Sequence, residues 1–291
     1  MNNRRVAVVC TAFPLASETF IIFQIEVLIR LNYEVHIFPY FLKDDSQGLI
    51  GRLKLKNVVF PTSIPPVNYF YRILNAFIIF IKYFPDSLKL LKTLNFLRLG
   101  FGVFKLIEYY RAISFLKKPN YTVVIANFGE NAVGIEKLIR CGFLNSKLVP
   151  WFRGYDLSSY GSLQNFEDDY RTVFQSAFKV VTVSKAFVNK LHDLHCPSDK
   201  INYIPSCPRD EFFTISPDYY NSNMFLFLGR LVEKKAPLIL LKAFSLVIKK
   251  HPNAKLVIAG DGPLRENCVE LISQLPDGSV RLLGAVAHKV V

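Results

Sequence analysis

The amino-acid sequence predicts an α/β fold of two doubly wound, parallel-sheet domains. Three features carry this expectation. Short apolar runs are β-branched and continuous rather than alternating, as in strands buried on both faces. Stretches with a thick apolar helical face separate them. Around residues 208–223 the pattern breaks at prolines and acids, then restarts.

Taken in order, residues 5–12 read as a first buried strand, and residues 18–31 as a helix with Ser17 at its N-cap. Residues 34–38 complete a βαβ unit. Arg4 and Arg5 before Val6–Val9 resemble a signal peptide only faintly, because the apolar run is short and Pro14 follows. Further strands are expected at 121–126, 148–152, 180–183 and 201–204. After the break, residues 225–228 read as a strand and 238–250 as a helix begun by Pro237 and stopped by Pro252. Residues 255–259 are a strand, 260–263 a turn, 264–275 a helix and 280–283 a last strand. The expected domains are 1–215 and 216–291, the second small for this architecture, with a sheet that looks unfinished.

Bulk properties narrow the function less. The 291 residues are 51% hydrophobic and 20% charged, which excludes disorder. Thirty-six basic residues against 23 acidic leave +13, a field that attracts phosphate in nucleotides, nucleic acid or anionic lipid. Five scattered cysteines with no C-x-x-C pair read as reduced thiols of a cytosolic protein. His192, His195, Cys196 and Cys207 match no standard zinc spacing, so no metal is expected.

Residues 65–110 stand apart. Phe70, Tyr71, Ile73, Phe77, Ile78 and Ile81 alternate with Arg72, Lys82, Lys89 and Lys92. One reading makes this stretch core helices covering the sheet. The other makes it a basic, aromatic surface resting on an anionic bilayer at the inner face of the cell membrane. No run is long enough to span a membrane.

The stretch Gly229-Arg230-Leu231-Val232-Glu233-Lys234-Lys235-Ala236-Pro237 carries the most chemistry. It sets one cation just past a strand end and another before a helix start. Ligands of open α/β sheets bind beyond the carboxyl ends of the strands, and a helix N-terminus adds partial positive charge. Arg230 can fork onto phosphate oxygens, with Lys235 as a point charge; solvated loop charges are the plain alternative. Gly260-Asp261-Gly262-Pro263-Leu264-Arg265 opens G-x-G after a strand but places Arg265 where a dinucleotide fingerprint has Gly or Ala. There is no P-loop, so NAD enzymes and P-loop ATPases are disfavoured.

Residues 229–237, Leu241-Lys242-Ala243-Phe244, residues 256–265 and Leu283-Gly284-Ala285-Val286-Ala287-His288 together resemble the donor-domain signature of family 4 retaining glycosyltransferases. The stretch Phe13-Pro14-Leu15-Ala16-Ser17-Glu18-Thr19-Phe20-Ile21 is similar to the opening of the branch that builds bacterial surface polysaccharides, of the colanic acid, exopolysaccharide or lipopolysaccharide kind. Asn127-Phe128-Gly129, Arg153-Gly154-Tyr155-Asp156 and Val183-Ser184-Lys185 fall at matching places.

The resemblance implies a GT-B fold, two Rossmann-like domains facing a cleft, the second incomplete here. It implies transfer of a sugar, with retention, from a UDP- or GDP-linked donor to a saccharide or lipid-linked acceptor, without metal or other cofactor. Arg230, Lys235 and Gly229 would hold the diphosphate. Gly260, Asp261, Gly262, Pro263 and His288 would lie near the nucleotide. Glu18 and Arg153 would be catalytic, with Ser17 and Asp156 near the sugar or acceptor.

Three departures from the family pattern stand out. Arg153 replaces a common His, Ala236 replaces a common Gly, and the paired glutamates of a later helix are absent from these 291 residues. The chain as it stands is therefore expected to be impaired. Glu266 and Glu270 are read as a solvated helix face. The competing reading is a non-enzymatic basic protein of membranes or nucleic acid, although no nucleic-acid motif accompanies the aromatic residues.

Overall fold

The computed structural model describes residues 4–15, 18–44, 48–52, 55, 58–158, 160–207, 211–214 and 223–286. The chain divides into two compact units, Met1–Cys207 and Pro208–Val291. Ser17 and His288 lie outside the described residues.

The first unit holds a six-stranded sheet, all parallel. Its strands are β1 (Arg5–Phe13), β2 (Glu34–Leu42), β3 (Val123–Asn127), β4 (Lys147–Phe152), β5 (Val180–Thr182) and β6 (Ile201–Tyr203), in the order β2-β1-β3-β4-β5-β6. β1 lies inside the sheet because every second side chain has an apolar layer to enter. Val6, Val8 and Cys10 face one core with Ile21, Ile22 and Ile25 of helix α1 (Thr19–Arg30). Ala7 and Val9 face the other, with Ala132, Ile135 and Leu138.

Helix α1 departs from expectation at its start. Glu18 occupies the N-cap position, and among the described residues no side chain caps the helix.

Between β2 and β3 come α2 (Tyr69–Lys82), the 3-10 segments Asp86–Leu94 and Phe101–Lys105, the single turn Phe96–Leu99, and α3 (Ile107–Ile113). Part of this stretch covers the sheet: Ala76, Leu90, Tyr109 and Tyr110 are buried in the core that holds Ala7, Val9 and Val124. In α2 only Ala76 is buried. Its inner side is tethered by polar bonds: Tyr110 Oη donates to the Arg72 carbonyl at 2.8 Å, and Tyr109 Oη to the Ala76 carbonyl at 2.9 Å.

Three helices follow β3, β4 and β5 as crossovers: α4 (Gly129–Arg140), α5 (Tyr160–Ser176) and α6 (Lys185–Asp193). Ser184 caps α6 by accepting from the Ala186 amide at 3.3 Å.

The second unit has three parallel strands in sequential order: β7 (Met224–Leu228), β8 (Lys255–Ala259) and β9 (Val280–Gly284). Helices α7 (Pro237–Lys250) and α8 (Arg265–Ile272) connect them and pack together. Right-handed crossovers in a sheet of sequential order put both helices on one face. That face is the core, with Leu241, Phe244, Ile248, Leu256, Ile258 and Cys268 buried. Pro237 stands at the first position of α7, and Lys249 and Lys250 lie in its last turn. Glu266 and Glu270 are exposed on α8.

Candidate functional site

Strand β1 sits between β2 and β3, so the chain passes from one side of β1 to the other at the carboxyl ends of these strands. Such a switch point opens a crevice between neighbouring loops. Glu18 follows β1, Asn127 ends β3, and Arg153 follows β4. The fold brings the three together.

Arg153 is the centre of this group. Its Nε and Nη2 donate to Asn127 Oδ1 at 3.1 Å and 3.0 Å. The guanidinium lies over the rings of Phe20 and Trp151, 4.0 Å and 4.9 Å from their centroids. A planar cation that is poorly hydrated suits such aromatic faces. Asn127 is fixed in turn, since its Nδ2 donates to Gln24 Oε1 at 2.9 Å. Burial pulls the Arg153 guanidinium down to about 10, although Asp156 and Glu18 act in the opposite sense. At neutral pH it remains a cation.

Glu18 is half-buried, and its Oε2 has no hydrogen-bond partner among the described residues. Burial raises its carboxyl above the ordinary range, and the Arg153 cation offsets part of that rise. Burial first, and then the Glu18 charge, also push the Cys10 thiol up, so Cys10 is an inert core thiol.

Asp156 holds the turn that carries Arg153. It is fully buried, and its carboxylate is occupied by the loop itself. It accepts from the amides of Gly129 at 2.9 Å, Gly154 at 2.9 Å and Arg153 at 3.1 Å. Burial raises its carboxyl, opposed by these backbone donors. Asp156 is therefore a positioning residue that fixes the turn carrying Arg153. Gly129 is required at this junction, because a Cβ there would stand 2.5 Å from the Phe152 ring and 2.7 Å from that of Tyr170.

In the second unit the loops after β7 and β8 interlock at the carboxyl edge of the sheet. Gly229 donates to the Ala259 carbonyl at 3.0 Å, Leu231 to that of Asp261 at 3.0 Å, and Leu264 to that of Leu231 at 3.1 Å. Gly260 adopts φ +148°, and a Cβ on it would lie 1.8 Å from the Gly229 carbonyl oxygen. A Cβ on Gly262 would lie 2.5 Å from the Leu231 oxygen. The G-x-G here thus serves the close approach of two backbones. Asp261 Oδ1 accepts from the Gly262 amide at 2.7 Å, while Pro263 is exposed on the turn.

Arg230 and Lys235 lie on the same loop, between the end of β7 and the start of α7. Both are exposed, and neither pairs with an acid among the described residues. The Lys235 stem passes over Gly229, with Cδ 3.9 Å from where a Gly229 Cβ would be. Glu233–Lys235 forms a 3-10 turn, and Ala236 takes a left-handed φ of 52° just before Pro237. Two unpaired cations beside a helix N-terminus can hold an anion.

Two of the groups described here gave no local signal in the sequence. Gln24 sits 103 residues from Asn127, and Phe20 stands in a helix far from Arg153 in the chain. The position of Asn127 at a strand's carboxyl end was the available clue. Among the described residues no group of three or more His, Cys, Asp or Glu could hold a metal ion.

A six-stranded parallel sheet in one unit and a three-stranded one in the other define the GT-B fold of glycosyltransferases. Residues 208–291 match the family model described as "Glycosyl transferases group 1". It is 27% identical over 211 residues to a putative colanic acid biosynthesis glycosyltransferase, WcaL, of Salmonella typhimurium, covering 65% of this chain and 47% of that protein. It is 23% identical over 308 aligned positions to the amylovoran biosynthesis glycosyltransferase AmsK of Erwinia amylovora, covering 92% of this chain and 70% of that one. Among solved structures, Anabaena HepE in complex with UDP and glucose superposes with a TM-score of 0.60 at 14% identity, over 98% of this chain and 70% of that chain. The chain spans about half the length of the first curated relatives it matches.

Proposed function

We propose that this protein takes part in transferring a sugar, with retention, from a nucleoside-diphosphate sugar to a saccharide or lipid-linked acceptor during surface-polysaccharide synthesis on the cytoplasmic side of the membrane. The observation that carries the reading is the loop 229–237, where Arg230 and Lys235 stand without an acid partner among the described residues at the sheet's carboxyl edge beside the start of α7. The solved relative that holds UDP and glucose, and the colanic acid and amylovoran enzymes, support the substrate class.

On this reading the departing nucleoside diphosphate gains negative charge as the glycosidic bond breaks. Fixed cations aimed at that charge lower the barrier without prior rearrangement. Arg230 forks onto the diphosphate oxygens and Lys235 adds a point charge. The glycine turns at 260 and 262 keep the neighbouring loop close enough for the nucleotide to lie over it. Within the first unit, Arg153 is a cation held rigid by Asn127 and the aromatic rings, the residue the family resemblance makes catalytic. Glu18, half-buried beside Arg153 with its carboxyl raised by burial, is the carboxyl placed to exchange a proton with a hydroxyl.

The test is to incubate the chain with UDP- and GDP-linked sugars and a lipid-linked saccharide acceptor, and to read the new linkage by NMR. A product with the donor's anomeric configuration supports the reading. An inverted product overturns it.

A further inference from the structure

Helix α2 is amphipathic in a direction the fold does not use. Its inward side is Arg72, Asn75, Ala76, Ile79 and Tyr83, spaced as one helical face. The opposite stripe, Phe70, Leu74, Phe77, Ile78 and Ile81, follows the i, i+4, i+7, i+8 and i+11 spacing of a continuous apolar face. That stripe is open to solvent, with Phe70 73% and Phe77 61% exposed. Leu97 at 84% and Phe101 at 80% exposure add apolar surface in the segment that follows α2. Soluble surfaces seldom present contiguous apolar area on this scale.

The framework beneath the patch is fixed. Tyr69 Oη donates to the Phe104 carbonyl at 3.0 Å, and Arg72 Nη1 to the Lys105 carbonyl at 2.9 Å, joining α2 to the segment Phe101–Lys105. The rings of Phe96, Phe101 and Phe104 stack in series, with centroids 6.4 Å apart at each step.

Charge decides what covers this face. Residues 69–105 contain six cations, Arg72, Lys82, Lys89, Lys92, Arg98 and Lys105, and one acid, Asp86. Asp86 pairs with Lys117 at 3.5 Å, and none of the six pairs with an acid among the described residues. Exposed aromatic and aliphatic side chains set among unneutralised cations suit the headgroup–acyl boundary of a negatively charged bilayer.

We propose that residues 69–105 dock this protein on an anionic lipid surface, the apolar stripe of α2 and the stacked phenylalanines entering the acyl boundary while the exposed Lys82, Lys89 and Lys105 meet lipid phosphates. This contact does not depend on the donor site of the second unit.

The experiment is vesicle co-sedimentation of the chain with phosphatidylglycerol–phosphatidylcholine mixtures and with pure phosphatidylcholine, alongside titration of UDP. Binding to the mixed vesicles is expected to exceed that to the neutral ones. Phe77→Ser with Phe101→Ser, both exposed positions, weakens it at least about 10-fold. Lys89→Ser with Lys105→Ser weakens it roughly 10- to 30-fold on the mixed vesicles alone. Urea unfolding and UDP affinity stay unchanged in both variants. Equal partition to neutral and anionic vesicles, no partition to either, or full binding by either variant overturns the proposal. So does a wild-type self-association that Phe77→Ser with Phe101→Ser abolishes, since the face would then belong to a second copy of this chain.

Discussion

Arg153 and Asn127 are joined by two hydrogen bonds onto one oxygen, 3.1 Å and 3.0 Å long, although 26 residues separate them in the chain. This contact turns the end of β3 into a holder for a cation that stands after β4. Asn127→Ala leaves a half-buried guanidinium without its acceptor and Gln24 without its donor. A lost hydrogen bond to a charged group costs about 1.5–3 kcal/mol. Urea denaturation should show that loss in the first unit, and sugar transfer should fall with it.

Asp156→Asn tests the loop. The carboxylate accepts three backbone amides, and an amide has one oxygen to offer them. The expected loss is about 1–3 kcal/mol of stability, the cost of unsatisfied buried donors. A fall in kcat accompanies it because Arg153 is displaced. Unchanged unfolding would remove Asp156 from its positioning role.

Glu18→Gln gives a pH signature. Burial holds the Glu18 carboxyl above its ordinary value in the folded state. The unfolded chain therefore ionises first, and stability drains as pH rises above about 4.3. Glutamine never ionises. The variant's thermal stability relative to the parent should be lowest in acid and increase as the pH rises to neutrality. A gain that is flat across this range would contradict the burial argument.

Much of the fold was legible from local pattern. The continuous Val6–Val9 run marks β1 because a strand buried on both faces needs no polar alternation. Pro237 marks the first turn of α7, where its missing amide costs nothing. The helix Tyr160–Ser176 is also written in the sequence, since Leu163, Phe166, Tyr170, Val173 and Phe174 line its buried side at helical spacing. The segment 65–110 could not be assigned by composition, because an apolar stripe looks the same whether a sheet or a bilayer covers it. The site was legible where a motif is local, as in 229–237 and 260–263. It was illegible where tertiary contact makes it, as with Gln24, Phe20 and the spent carboxylate of Asp156.

Gly260 and Gly278 separate steric need from conformational freedom. Both have positive φ, but a Cβ on Gly278 meets nothing within 4 Å, whereas one on Gly260 strikes the Gly229 carbonyl. Gly278→Ala should cost about 1–2 kcal/mol from the left-handed backbone alone. Gly260→Ala should cost about 3 kcal/mol or more, since strain and overlap add. Calorimetric unfolding of the two variants checks the difference, and nucleotide affinity should fall only for Gly260→Ala.

The central claim is that Arg230 and Lys235 grip a diphosphate. Isothermal titration of UDP and GDP against the chain and its Arg230→Ala, Lys235→Ala double variant tests it most directly. Both side chains are exposed, so their removal leaves the unit's fold intact. The account predicts at least a roughly 100-fold loss of affinity, as two charge-assisted contacts of about 1.5–3 kcal/mol each disappear. Equal affinity in the two proteins would contradict it.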